Sequence, residues 1–386
     1  AGLTAAFYLA QTGYRPTVFE KNEHPGGMLR YGIPSYKLEK DVLDAEIDVA
    51  KEMGVEIKTG IEVGKDVTIQ QLRKQGYQAF YIAIGCSAGS LPDIKNINSQ
   101  GVMTAIDLHE SNCGDTPFDG KVVVVGGGNV AIDASRVSSR NKANQVHQFC
   151  LEQEVDMPAS NEEIAEARED GVTIHCGWGP QEIIETNGKV SAIVFKKCVS
   201  VFNDEGKFAP VYDENTTVTV ACERVIFAIG QRSVWGDLLK GEDVKFNGQA
   251  IELNKVTFQS SVEDIFAGGD VYTGPKFAID AIAQGKIAAE SLHRYVHHGH
   301  METGRNRWEF KPLDTDDILV ESYDRGPKQV EGINSKVTDK FKDNVLALTE
   351  EQIKKETSRC LGCGATIVDA NKCIGCGICT TKCDFD

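Results

Sequence analysis

Three successive glycines, Gly126-Gly127-Gly128, stand between the β-branched run Lys121 to Val125 and a segment of helical spacing that opens at Asn129. With Val130 and Ala131 they complete a G-x-G-x-x-A signature, and Val146 to Phe149 supplies the next strand. A strand, a glycine turn and a helix in that order confine this region to a βαβ unit with parallel strands. The glycines let the backbone approach a pyrophosphate, whose charge is met by the free N–H groups of a helix N-terminus. Gly126, Gly127, Gly128, Asn129, Val130 and Ala131 are therefore candidate dinucleotide-binding residues. Glu152, beyond the second strand, stands where a carboxylate accepts from a ribose 2′-hydroxyl and repels a 2′-phosphate, which favours NAD over NADP. A solvated surface acid is the alternative reading of Glu152.

This unit lies inside another. Phe80 to Gly85 and Val225 to Gly230 are continuous apolar runs closing on glycine, as buried parallel strands do, and they flank the glycine signature on either side. Upstream, Gly2 to Ala10 has helical spacing ending near Gly13, and Arg15 to Glu20 reads as a short strand closing on an acid. That is the second half of a βαβ unit, so a strand and a glycine turn are expected ahead of residue 1, with Ala1-Gly2 ending a G-x-G-x-A-G fingerprint. Glu20 then occupies the ribose-binding position. Gly26-Gly27-Met28-Leu29-Arg30-Tyr31-Gly32-Ile33-Pro34 and Gly269-Asp270, ahead of a helix expected from Phe277 to Val296, suggest a second dinucleotide with an extended body. FAD fits, with Asp270 near ribitol and phosphate; a helix-capping acid is its bland alternative.

Six of the 12 cysteines crowd into the 24 residues from Cys360 to Cys383. Cys373, Cys376, Cys379 and Cys383 have the ferredoxin spacing, in which one tight loop brings three thiolates to a cubane cluster. Zinc needs only four thiolates and has no use for three cysteines at consecutive two-residue gaps. Cys383 serves either this cluster or a second one with Cys360 and Cys363, a pair that also suits zinc. Six ligands are too few for two all-cysteine cubanes. Thr349 to Gln352 fits a capping box, opening a short helix that delivers Arg359-Cys360.

Together, the Gly26 to Pro34 segment, the strand ends at Gly85 and Gly230-Gln231, the nested fingerprint and Gly268-Gly269-Asp270 resemble the glutamate synthase small-subunit family of FAD- and NAD(P)-linked oxidoreductases. The resemblance implies an α/β chain with two nested Rossmann-like dinucleotide-binding domains in a disulfide-reductase-like fold, plus a small C-terminal iron–sulfur domain. It implies that a nicotinamide reduces FAD and that electrons leave through one or two [4Fe–4S] clusters. The expected partners are other electron-transfer subunits of a larger complex, with ferredoxin a further candidate. Members using NADPH carry paired arginines where this chain has Cys150-Leu151-Glu152. The family's N-terminal cluster-binding region and first FAD strand have no counterpart in residues 1–386, so the clusters the resemblance implies are expected to include the C-terminal ones.

The resulting division is 1–110 and 242–298 for the FAD-binding domain, 111–241 for the NAD(P)-binding domain, 299–348 for a linker and 349–386 for the iron–sulfur segment. Cys86, Cys113, Cys150, Cys176, Cys198 and Cys222 stand singly, without the spaced pair that a disulfide reductase needs. A net charge of −16 argues against nucleic acid and anionic lipid as partners, and no apolar run approaches the roughly 18 residues of a membrane span. Cytoplasm is the expected location. A relay subunit with a degenerate flavin site and a zinc-bearing docking module are the competing readings.

Overall fold

The computed structural model describes residues 1–110, 118–305, 326–360 and 373–376. The chain divides into two compact units, one of Ala1–Asn306 with Val337–Asp343 and the other of Arg307–Lys336 with Asn344–Asp386.

At the centre of the first unit the strand Lys121–Val125 pairs in parallel with Arg224–Phe227 on one side and Gln145–Cys150 on the other. Val102–Thr104, which precedes residue 111, and Thr173–Cys176 complete a five-stranded parallel sheet. Alternation assigns its faces. Val122 and Val124 pack with Ala131, Ile132 and Val137 of the helix Asn129–Arg140. Val123 and Val125 pack with Ile183, Ile193 and Phe195 of an antiparallel three-stranded sheet, Trp178–Thr186, Lys189–Phe202 and Phe208–Ala221. Burial on both faces is why the central strand is uniformly apolar rather than alternating.

The enclosing half contains two parallel pairs, Thr17–Phe19 with Glu56–Lys58 and Phe80–Ile82 with Ile265–Ala267. The helices Gly2–Gln11 and Ala278–Val296 pack against one another. Their approach depends on Gly285, where any side chain would run into the Ala1 carbonyl oxygen and lie 2.9 Å from Thr4 Cβ. The chain leaves this half through Ala88–Gly89 and returns through Gln231–Arg232, and these two segments pair as an antiparallel ribbon. The nesting expected from the two glycine-terminated runs is thus present. Within 299–348, Lys340 accepts from Arg140 Nη1 at 2.6 Å and Phe341 packs against the core behind the helix Asn129–Arg140.

In the second unit the helix Glu350–Ser358 opens on the expected box: Thr349 Oγ1 accepts from Gln352 N–H at 3.3 Å, and Thr349 N–H donates to Gln352 Oε1 at 2.8 Å. Among the described residues no helix is long and apolar enough to cross a membrane. Substituting Gly285→Val should force the two helices apart and lower the urea unfolding free energy by about 1–3 kcal/mol, read from the shift in denaturation midpoint.

Candidate functional site

The glycine turn is held by close backbone approaches that only glycine allows. Gly126 adopts φ +148°, and a carbon added there would lie 2.5 Å from the Ala228 carbonyl oxygen, so the turn is wedged against the end of the neighbouring strand. Its own carbonyl accepts from Gln148 Nε2 at 3.0 Å, and Gln148 in turn accepts from Ser135 Oγ at 3.0 Å. Gln148 is fully buried in the sheet, and this chain of hydrogen bonds satisfies it. Gly128 caps the helix Asn129–Arg140 with open space above it, and the first turn carries no acid. The helix therefore presents uncompensated N–H groups at the carboxyl end of the sheet.

Glu152 turns back toward this site. A carbon on Gly127 would lie 2.5 Å from Glu152 Oε2 and 3.2 Å from Cys150 Cβ. Asn129 is committed elsewhere, its Oδ1 accepting from Ser160 N–H at 3.0 Å, which ties the helix start to a loop beyond the next strand. Val130 is exposed and Ala131 is fully buried beneath Gly126.

In the enclosing half, Gly2 opens its helix against Ala83, and the next residues to meet it come from far along the chain. Gly269, at φ +79°, faces Ala1 and donates its N–H to Gln284 Oε1 at 2.8 Å. Asp270 Oδ1 accepts from Lys276 N–H at 3.3 Å, and burial raises its carboxyl above the usual range. Glu20 is raised for the same reason and accepts from Asn22 N–H at 2.9 Å. Gly85 joins this group: its carbonyl accepts from Ser233 Oγ at 2.8 Å, and the adjacent Cys86 thiol donates to the Asp270 carbonyl at 3.3 Å. Gly230 accepts from Ser90 N–H at 3.0 Å, and Gln231 pairs with Gly89 in the ribbon.

The segment from Gly26 to Pro34 folds as one compact loop around the short helix Met28–Tyr31. Gly27 caps that helix at φ +56°, Gly32 lies over Met28, and Ile33 N–H donates to the Met28 carbonyl. Arg30 is engaged inside the loop, donating to the Pro25 carbonyl at 2.7 Å and pairing with Asp44. Lys40 fastens the loop through the Leu29 and Ile33 carbonyls at 3.0 and 2.7 Å, and burial lowers its ammonium to about 8.

The residues just beyond this loop carry no sequence motif. Tyr36 inserts beneath the guanidinium groups of Arg136 and Arg140, 4.9 and 4.0 Å from its ring centroid. Lys37 pairs with Asp133 and, at 2.6 Å, with Glu163. Asp170 binds Arg136 and Arg140 at 2.8 and 2.9 Å. A largely half-buried charge network, with Arg136 buried at its centre, thus clasps the loop to the helix that carries the glycine turn. The signal that could have found it is the run of charges at Asp133, Arg136 and Arg140, which share one side of that helix.

Cys86, Cys150, Cys198 and Cys222 are buried and Cys176 is half-buried; burial pushes each thiol up, Cys222 to about 12. Cys150 and Cys176 are register partners on adjacent strands, a proximity the linear sequence hides. Thiols so raised resist forming the thiolate that disulfide exchange requires. Cys360, Cys373 and Cys376 are exposed, and Gly375 turns the Cys373 to Cys376 loop at φ +68°. Cys113, Cys363, Cys379 and Cys383 lie outside the described residues, and among the described ones no three metal-binding side chains come together.

The sequence profile of the pyridine nucleotide-disulphide oxidoreductases matches residues 1–285. The chain belongs to the pyridine nucleotide-disulphide oxidoreductase family. Among its relatives, the NADP(+)-dependent formate dehydrogenase subunit beta of Moorella thermoacetica is 36% identical over 310 residues, covering 78% of this chain and 43% of that protein. The glutamate synthase [NADPH] small chain of Escherichia coli strain K12 is 32% identical over 315 residues, covering 77% of this chain and 66% of its own length. The likeness expected from the glycine motifs is borne out, although this chain spans less than two thirds of either relative. FprA of Mycobacterium tuberculosis, solved with NADPH, superposes with a TM-score of 0.65 at 15% identity, covering 77% of this chain and 82% of that one, and shows the shared two-domain dinucleotide-binding fold.

The clasp of this pyridine nucleotide-disulphide oxidoreductase should be visible in its pH dependence. Burial pushes the Asp133 carboxyl up to about 6 against the pull of Lys37, so the folded chain retains a proton that the unfolded chain releases near 3.8. Because the native state binds more protons between those values, Asp133 adds stability as pH falls from about 6 toward 4. Asp133→Asn should remove that slope from the urea midpoint measured across this window. An unchanged slope would show Asp133 ionised throughout.

Proposed function

We propose that this chain is a flavin- and iron–sulfur-dependent NAD(P)H oxidoreductase subunit that moves electrons between a nicotinamide dinucleotide, FAD and an iron–sulfur centre, and on to a partner subunit or ferredoxin. The observation that carries this reading is the joining, across the ribbon Ala88–Gly89 with Gln231–Arg232, of two glycine turns that each abut a helix N-terminus. One is Gly126 to Gly128 at the helix Asn129–Arg140; the other is Gly269-Asp270 beside the start of the helix Gly2–Gln11.

At the first turn the free backbone N–H groups bind the pyrophosphate of the nicotinamide dinucleotide, and Glu152 accepts from the adenosine ribose. At the second, the N–H groups of the first helix and the Gly269-Asp270 backbone hold the FAD phosphates. Glu20 takes the FAD ribose, and the loop from Gly26 to Pro34 with Gly85 holds the extended body. Bound FAD supplies the conversion between two-electron hydride chemistry and one-electron transfer. That step requires no acid or base from the chain, whose residues fix ring geometry and keep the two halves in register. Lys40 and the Tyr36–Lys37 clasp serve that positioning. Cys373, Cys376 and Cys379, with Cys360, Cys363 and Cys383, form the thiolate set, and the exposed Cys373 to Cys376 turn suits ligation by a tight loop.

An anaerobic absorbance titration of the full-length protein with NADH and, separately, NADPH tests the reading. Bleaching of the flavin and cluster bands together is the expected result. No bleaching, with iron and sulfide still bound, would overturn the dehydrogenase reading in favour of a relay fed by a partner. Glu152→Ala should raise the KM for NADH about tenfold, the loss expected for a charged hydrogen bond to a hydroxyl. Unchanged NADH kinetics would mean the carboxylate does not hold the ribose.

A further inference from the structure

Four of the chain's 8 histidines fall between His293 and His300, and the electron route uses none of them. His293 stands in the last turn of the helix Ala278–Val296, and His297 is its C-terminal cap four residues on, so both lie on one side of the helix. Their ring centroids are 4.7 Å apart, with the planes tilted by 56°. Beyond them the chain bends away. His298 adopts φ +54°, and Arg294 Nη1 gathers the following residues by donating to the His300 and Thr303 carbonyls at 2.8 and 2.6 Å, while His297 stays exposed.

A third ring holds the first of these two. Gly13, at φ +92°, follows the helix Gly2–Gln11 and lets Tyr14 turn back, its N–H donating to the Leu9 carbonyl at 3.1 Å. Tyr14 thereby packs edge-on against both imidazoles, at centroid distances of 5.8 and 6.2 Å, and its hydroxyl oxygen is 2.9 Å from His293 Nδ1. A proton on Nδ1 donated to that oxygen leaves the ring's lone pair on Nε2. In metal sites an outer hydrogen bond of this kind sets the tautomer and ring angle of a ligating histidine. Histidines near a helix C-terminus are favoured by the macrodipole alone. That preference calls for neither a shared side nor a hydrogen bond to a residue 279 positions away.

Two imidazoles bound side by side to one cation through bonds of about 2.0–2.1 Å hold their ring centroids about 4.5–5 Å apart, a spacing that His293 and His297 already meet. We propose that His293 and His297 chelate a divalent late-transition-metal cation of the Zn(II) or Ni(II) kind, with Tyr14 orienting His293. Imidazole nitrogen suits these ions, whereas Ca²⁺ and Mg²⁺ seek oxygen. With two protein ligands at a helix end, the remaining coordination positions are open to water, so the cation exchanges with solvent instead of being sealed in as in a four-ligand structural site. The chelate lies about 28 Å along the helix from its start near Gly269-Asp270. It is therefore separate from both glycine turns.

The test is anaerobic calorimetric titration of the untagged full chain with Ni(II). Wild type and variants share all 12 cysteines, so any nickel taken by thiolates cancels in the comparison. His293→Gln and His297→Gln should each lower the stoichiometry by one Ni(II) and abolish the rise in thermal midpoint that the cation gives the wild type. Glutamine keeps a polar partner for Tyr14, and unchanged flavin absorbance checks that each variant folds. Tyr14→Phe should keep the stoichiometry and weaken binding about tenfold, the lower end of what losing an outer hydrogen bond costs a metal site. A stoichiometry equal to wild type in either histidine variant overturns the chelate, and an unchanged affinity in Tyr14→Phe overturns the orienting role of the phenol.

Discussion

Backbone meeting backbone without an intervening side chain is the constraint on which this fold depends. At Gly126 the chain passes so close to the Ala228 carbonyl that a single added carbon would push the strand ends apart. At Gly285 a long helix presses onto the first turn of another, against the Ala1 carbonyl. Both approaches occur where a helix begins beside a parallel sheet. They set how near a ligand phosphate can come to the helix N–H groups, because that field weakens within a turn of the helix end. Widening either contact would leave the apolar core largely intact and move the polar groups that matter.

A second level of organisation is electrostatic. Lys37 sits between Asp133 and Glu163, while Tyr36 fills the space under Arg136 and Arg140. Removing charged groups from water is costly, and such a network persists only when nearly every member finds a partner. Asp170 supplies that completion by holding both arginines. The loop that shapes one candidate site is thereby referenced to the helix that shapes the other, and an apolar contact of the same area would fix neither angle nor register as firmly.

The parallel architecture is legible in the sequence because each central strand is apolar on both faces and each turn is marked by glycine. Lys121 to Val125, the helix start at Asn129, the Thr349 box and the nested order all come from local pattern. The antiparallel sheet from Trp178 to Ala221 is not, because its strands mix charged and apolar residues and carry register shifts that break simple alternation. In the candidate site, glycines and acids at motif positions stand out. Asn129 carries no mark of its engagement with Ser160, and Gln148, Tyr36 and Lys37 carry no motif at all. Their roles arise from partners distant in sequence, which spacing cannot show. The pairing of Cys150 with Cys176 across neighbouring strands is hidden for the same reason.

The ribbon of Ala88–Gly89 and Gln231–Arg232 has a consequence for how such a chain can be assembled and altered. Entry to and exit from the inserted half lie side by side, so to the enclosing half that whole stretch is equivalent to a hairpin loop. The entropy of closing a loop grows only with the logarithm of its length. Carrying a complete nucleotide-binding fold therefore costs the host little more than carrying a short turn. Exchange of the entire insert, cut at the ribbon, is a rearrangement this topology tolerates, and it gives one enclosing scaffold a route to different inserted nucleotide-binding folds.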